Sequence, residues 1–239
     1  MKTIQEIFDK FSDIQASEKR DDFTLPFFEK EIIVKNVGFT YPDSVLPTLN
    51  DVNFTIKKGK KYALIGPSGS GKTTLLNILF GRLKSTQGEI YYDSYTYEEL
   101  RTSLFQRIAY VEQNSVIFSG SIIENITLGK EYDENKIKNI LSSVDLLDWV
   151  EQQAEGLMTL IDWEGNMLSG GQKQKIGIAR ALFLEKDIIF LDESLSAIDK
   201  VSVQNIEQCL LKKTDATVVL ITHHLTPEIE NLLDGIIEI

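Results

Sequence analysis

A single cysteine, Cys209, is all the thiol chemistry in these 239 residues. It cannot close an internal disulfide and it falls inside an amphipathic pattern, so it reads as a core residue of a protein kept reduced. Long apolar runs are also missing. The purest, DIIFL and TVVLI, fall far short of the ~20 residues of a membrane helix and read as buried strands. The opening residues, MKTIQEIFDKFSDI, carry acids and no continuous apolar block, which excludes a secretory signal. Positive charge is scarce: 25 lysines and arginines face 36 aspartates and glutamates, a net charge of −11. That balance argues against wrapping nucleic acid, which needs a positive face. There is no internal repeat and no low-complexity tract. What is present, 42% hydrophobic and 26% charged residues, is ordinary soluble globular composition, enough for one large domain or two small ones.

Along the chain, Ile4, Ile7, Phe8, Phe11 and Ile14 share one helical face, and SEKRDD follows as a polar linker. Residues 1–30 thus read either as a packing helix of this domain or as the tail of a preceding membrane region. From Glu31 the pattern turns strand-like: EIIVKNVGFTY, then LNDVNFTIKKG with Val52, Phe54 and Ile56 alternating. KYALIG is a compact buried strand and KTTLLNILFGRL a helix. GEIYYDS and RIAYVEQ are strands on either side of a short helix, TYEELRTSL. Residues 120–152 carry mostly helical spacing. A basic helix after LSGGQ, the strand DIIFLDE, the helix DKVSVQNIEQCLLKK and the strand TVVLITHH complete the order. Strands alternating with helices predict an α/β fold with a mostly parallel sheet. The antiparallel start and the helical middle add two appendages.

The run Gly66-Pro67-Ser68-Gly69-Ser70-Gly71-Lys72-Thr73 fits the P-loop pattern G-x-x-x-x-G-K-[ST], between a strand and a helix as that pattern requires. Glycine lets the backbone close on a phosphate, and the helix N-terminus that follows favours anions. Lys72 is placed to reach the β- and γ-phosphates, Thr73 to ligate Mg²⁺, and Thr74 to complete the ATP-binding run. The strand IIFLDE delivers Asp192 and Glu193 at its carboxyl end, where α/β sites lie. Asp192 suits a Mg²⁺ partner, and Glu193, facing the other way, a general base for the attacking water. A helix-capping acid pair is the plainer reading. Gln113 could join the Mg²⁺ shell or the water, and His223 could donate to the γ-phosphate. Neither carries weight alone, and His224 is expected to point away. Tyr41 is a platform for a stacked base, whereas Phe39 belongs to the core. Gly177, inside the LSGGQ helix, costs up to about 1 kcal/mol relative to alanine.

In this order the motifs resemble the nucleotide-binding domain of ATP-binding cassette (ABC) transporters, over Glu31 to Ile239. Tyr41 matches the A-loop aromatic, GPSGSGKT the Walker A motif, Gln113 the Q-loop, LSGGQ the signature and IIFLDE Walker B. Residues 196–199 match the D-loop, and His223 the switch histidine. The resemblance implies a P-loop NTPase core with an antiparallel β subdomain and a helical subdomain at about 114–182. It implies ATP and Mg²⁺ as ligands, with Thr73, Gln113 and Asp192 around the metal and Glu193, His223 and Gln113 as catalytic groups. It also implies a dimer around two ATPs, in which Leu168, Ser169, Gly170, Gly171 and Gln172 face the partner's nucleotide. Ser196, Ala197, Ile198 and Asp199 form the D-loop. A serine-capped helix start is the plain reading of that same signature stretch.

VEQNSVIFSGSIIENI resembles exporters more than importers, which implies transmembrane domains fused N-terminally and a place at the cytoplasmic face of the membrane. Two departures stand out. Trp163, with Glu164 beside it, occupies the position where exporters usually carry a glutamate, and the chain ends at GIIEI, where relatives usually continue. The alternatives are a repair or chromosome ATPase, an importer subunit, a small-molecule kinase and a catalytically silent module. Residues 114–167 leave no room for the coiled coils of the first, and a kinase leaves LSGGQ unexplained.

Overall fold

The computed structural model describes residues 28–162, 167–193, 195, 197–222 and 225–239. In chain order the elements are strands β1 (Glu31–Phe39), β2 (Leu49–Lys57) and β3 (Lys61–Ile65), then helix α1 (Lys72–Phe80). Next come β4 (Gln87–Tyr92), β5 (Tyr95–Thr96), α2 (Tyr97–Arg107), β6 (Ile108–Val111) and β7 (Gly120–Ser121). Helices α3 (Ile122–Thr127), α4 (Glu134–Ser143) and α5 (Leu147–Glu151) lead to β8 (Leu160–Ile161) and the long α6 (Gly170–Phe183). The chain continues with β9 (Ile188–Asp192), α7 (Lys200–Gln208) running into a π-helical turn (Cys209–Lys213), β10 (Thr217–Ile221), α8 (Pro227–Glu230) and β11 (Gly235–Glu238).

Two compact units emerge. The first takes its described residues from Leu25–Val111, Glu185–Glu193 and Leu210–Ile239. It holds a four-stranded sheet, β2-β1-β4-β5, and a five-stranded sheet, β11-β3-β10-β9-β6. The smaller sheet pairs antiparallel throughout; the larger is parallel throughout. Central strands β9 and β10 are buried at every residue, which is why IIFLD and TVVLI read as continuous apolar runs and not as alternating ones. Leu64, Ile221 and Asp192 stand level across β3, β10 and β9. The carboxyl ends of these strands therefore open together, the place where such sheets build their sites. Beneath them Leu75, Leu76 and Leu79 of α1 pack into one core with Ile32, Ile56, Tyr92, Ile188 and Phe190. Each such side chain contributes about 1.5–3 kcal/mol by leaving water.

The second unit takes its described residues from Glu112–Leu184 and Ser194–Cys209. Helix α6 is its spine, with α3 and α4 packed on it; Ile122, Ile126, Ile137, Leu141, Ile176 and Ala179 are buried there. Gly177 is buried along that helix as well. Arg180 passes under the loop before α3: its Nε donates to the Asn125 carbonyl at 2.8 Å and its guanidinium to the Val116 carbonyl at 2.9 Å. The guanidinium lies over the Phe118 ring. Burial holds its pKa down to about 10, still far above neutrality.

An α/β P-loop core with one parallel sheet, an antiparallel sheet and a helical section matches the fold expected from sequence. Local differences appear. The terminal GIIE, not assigned to any element from sequence, forms β11 and extends the parallel sheet beside β3. The helix DKVSVQNIEQCLLKK is α-helical only to Gln208 before it widens into the π turn. The segment 1–27, Trp163, Glu164, Ser194, Ser196, His223 and His224 lie outside the described residues.

Candidate active site

The loop between β3 and α1 is shaped by close approach. Gly71 caps α1 with φ 98°, and a Cβ there would stand 2.6 Å from Leu49 Cδ2 and 2.9 Å from the Thr48 carbonyl. Only glycine meets both conditions. Because a glycine N-cap offers no side-chain acceptor, the first amides of α1 keep their donors for an anion. Lys72 is 5% exposed. Its ammonium donates to the carbonyls of Gly66 at 3.0 Å and Pro67 at 2.8 Å, so the positive charge is held at the loop itself. The Ser70 hydroxyl is buried there without a hydrogen-bond partner. A cradle with an ammonium, opening helix amides and a spare buried hydroxyl fits a polyphosphate.

Thr73 and Asp192 meet across this loop: the threonine hydroxyl donates to Asp192 Oδ1 at 3.0 Å. Two hard oxygen donors side by side suit Mg²⁺, which is held by one or two protein groups while water and phosphate fill its remaining positions. Among the described residues no cluster of three or more His, Cys, Asp or Glu could cage a metal. Asp192 Oδ2 accepts from the Tyr110 hydroxyl at 2.8 Å. Glu193, directly after the strand, takes φ 49°. It leaves the strand through the left-handed region, so its direction is set by that turn and not by strand alternation. Tyr41 is 42% exposed and Phe39 6%; their rings meet edge to face at 4.8 Å. The Tyr41 hydroxyl lies 3.1 Å from Thr74 Oγ1, which ties the aromatic to the first turn of α1.

The second unit carries the other motif residues. Ser169 is the N-cap of α6 in a reciprocal box: its Oγ accepts from the Gln172 amide at 3.2 Å, and Gln172 Oε1 accepts from the Ser169 amide at 2.8 Å. Ser169 and Gly170 are exposed, while Leu168 anchors the turn in the core. A Cβ on Gly171 would lie 2.9 Å from the Ala197 carbonyl, so the glycine lets Ala197 approach the helix start. Gln174, 2% exposed, joins two motifs by one carboxamide. Its Nε2 donates to the Gln113 carbonyl at 2.8 Å, and its Oε1 accepts from the Ala197 amide at 3.2 Å. Asp199 caps α7, and the Ser202 hydroxyl and amide beside it hold its carboxyl down to about 2. Lys175 binds Ser202 Oγ at 2.8 Å and the Asp145 carbonyl at 2.9 Å.

The structure thus brings Tyr41, Lys72, Thr73, Thr74 and Asp192 together in one unit with Glu193 next in chain. It brings Gln113, Ser169–Gln172 and Ala197–Asp199 together in the other. Sequence reasoning missed Tyr110 and Gln174. Tyr110 had a usable signal, a polar-tipped aromatic in the strand RIAYVEQ, but its target is visible only through strand pairing.

Comparison with known proteins gives the family. A family model described as "ABC transporter" matches residues 49–196. The lactococcin-G-processing and transport ATP-binding protein LagD of Lactococcus lactis is 36% identical over 202 residues, 83% of this chain and 29% of that protein. The ATP-dependent lipid A-core flippase of Hahella chejuensis is 37% identical over 200 residues, 82% of this chain and 34% of its own length. The chain therefore spans about a third of these relatives. A solved structure of a bacterial Atm1-family ABC exporter with ATP bound superposes with a TM-score of 0.81 at 26% identity, over 98% of this chain and 43% of that one. The family match covers well over half of the chain, and the site it frames is a P-loop with an acid-tipped strand beside it: the chain belongs to the ABC transporter family, as an ATP-binding part of it.

Proposed function

We propose that the chain is the ATP-hydrolysing motor domain of an exporter, closing with a second such domain around two ATPs and reopening on hydrolysis. The observation that carries this is the pairing of Thr73 with Asp192 beside the Lys72 loop, together with a separate exposed helix start at Ser169. Lys72 and the first amides of α1 bind the phosphates, and Thr73 and Asp192 hold Mg²⁺, which neutralises charge on the phosphates when bound. Glu193 takes a proton from the attacking water. Gln113 and His223 assist at the water and the γ-phosphate, and Tyr41 stacks the base. Ser169 and its glycines offer a hydroxyl and a helix N-terminus to the partner's nucleotide. Ala197–Asp199 pass between the copies.

Closure moves attached membrane segments as rigid bodies. No helix among the described residues is long and apolar enough to cross a membrane. The relatives' greater length supports placing the membrane domains outside residues 31–239, with residues 1–30 leading from them, at the cytoplasmic membrane face. The decisive experiment is Glu193→Gln. Hydrolysis is expected to slow by roughly 10²–10⁴-fold with ATP binding retained, and light scattering should show a dimer in Mg²⁺-ATP that is absent without nucleotide. Unchanged turnover would remove Glu193 as the base, and no ATP-dependent dimer would count against the motor reading.

A further inference from the structure

Asp192 is 8% exposed and sits at the end of β9. The terminal torsion of an aspartate is broad, so a carboxylate held by one oxygen can still turn about its axis. Here both oxygens are engaged, one by Thr73 and one by Tyr110. The two partners differ in kind. Thr73 belongs to the first turn of α1, just after the phosphate-binding loop, and is exposed. Tyr110 belongs to the sheet. It pairs with Phe190 in the parallel register of β6 and β9, and strand alternation puts Phe190 and Asp192 on one face. The Tyr110 ring runs forward along that face and ends at Asp192 Oδ2.

The ring is braced on several sides. Its centroid lies 5.3 Å from that of Phe80 and 6.4 Å from that of Phe190. The Arg82 guanidinium stands 4.8 Å from the Tyr110 centroid and 5.0 Å from that of Phe80, and Phe105 closes edge-on against Phe80 at 5.1 Å. Stacking of this kind fixes an aromatic more firmly than packing alone. The phenol is therefore a donor on a rigid arm.

Resting on the reading of Asp192 as a Mg²⁺ group, we propose that Tyr110 is a positioning residue for the metal site: its phenol pins Asp192 Oδ2 and leaves Oδ1 as the oxygen offered beside Thr73. Tyr110 itself touches neither nucleotide nor metal. It acts by removing the rotational freedom of the carboxylate before the ion arrives, so its contribution belongs to metal affinity and not to phosphate binding.

Tyr110→Phe keeps the ring, the stack and the strand, and removes one hydroxyl. Calorimetric binding of a non-hydrolysable ATP analogue, in EDTA and across a Mg²⁺ titration, separates the two contributions. In EDTA the variant should match the unsubstituted chain. The Mg²⁺ midpoint should rise by about tenfold, the usual scale for losing a partner that orients a metal ligand. Arg82→Met, at an exposed position, leaves the phenol but loosens its brace, and should move the midpoint the same way by a smaller factor. A melting curve without nucleotide checks that each variant is folded, and Arg82→Met carries the test if Tyr110→Phe is not. Unmoved Mg²⁺ midpoints, or a loss equally large in EDTA, would overturn the proposal. An unsubstituted chain that binds the analogue equally with and without Mg²⁺ would instead overturn the metal reading on which it rests.

Discussion

Lys72 gives its ammonium to two carbonyls of the loop it follows, so phosphate oxygens have to outcompete neutral acceptors already in place. An ionised acceptor forms the stronger bond. Tyr41 is set up in a similar way, half exposed and tethered at Thr74. Tyr41→Ala is expected to weaken ATP binding by about 1–2 kcal/mol, the scale of base–aromatic stacking. Tyr41→Phe should stay close to the parent, giving up only the contact with Thr74. Fluorescence titration with ATP and with inorganic triphosphate checks this, since a stacking loss appears only when a base is present. That Phe39 belongs to the core was legible from the alternation of its strand, and it is buried. The targets of Tyr110 and Gln174 were not legible: each is reached across paired strands or neighbouring turns, and no spacing in the chain encodes that.

Among the elements, α6 shows how one stretch carries two readings. Ser169 caps the helix, as its composition alone suggests, and the hydroxyl that accepts from Gln172 retains its own proton to donate. Capping fixes the geometry that ligand binding would use. Helix α7 shows the opposite case, a cost. Glu207 is 7% exposed, and burial pushes its carboxyl up to about 7. The folded chain then keeps a proton that the unfolded chain loses above the ordinary value of 4.5. Stability from this group is therefore highest below 4.5, falls as pH rises toward about 7, and stays at the lower level above it. Glu207→Gln should melt like the parent below that window and at a higher temperature above it, by about 3 kcal/mol at most. Calorimetric melts on both sides of the window decide the matter, and a pH-independent difference would contradict it. The helical period of DKVSVQNIEQ was readable, but the π turn after Gln208 was not, because the amphipathic pattern runs on through CLLKK. Strand β11 escaped for a related reason: four residues beside the chain end carry too short a pattern without the neighbouring β3.

At the level of the whole molecule, the motif residues divide between two units. Lys72, Thr73 and Asp192 belong to one, and Ser169 to the other. The motif order made the family legible, since each motif sits where a strand or helix ends. What the order cannot convey is which copy of the chain completes which site. With a net charge of −11 per copy, two copies repel at low salt, and on the proposed reading nucleotide supplies the attraction between them. Lys72→Ala spoils the cradle of its own chain, and Ser169→Arg spoils the face offered to another. Either variant alone places a lesion in both sites of its dimer. Mixed together, the two give one doubly damaged site and one sound site. The most direct measurement is equilibrium binding of a non-hydrolysable ATP analogue to the mixture, with the mass of the dimers determined alongside. Shared sites are expected to restore occlusion of about one nucleotide per mixed dimer, by linkage of binding to association. Mixed dimers that form and occlude none would contradict shared sites and leave each chain to use its own Ser169.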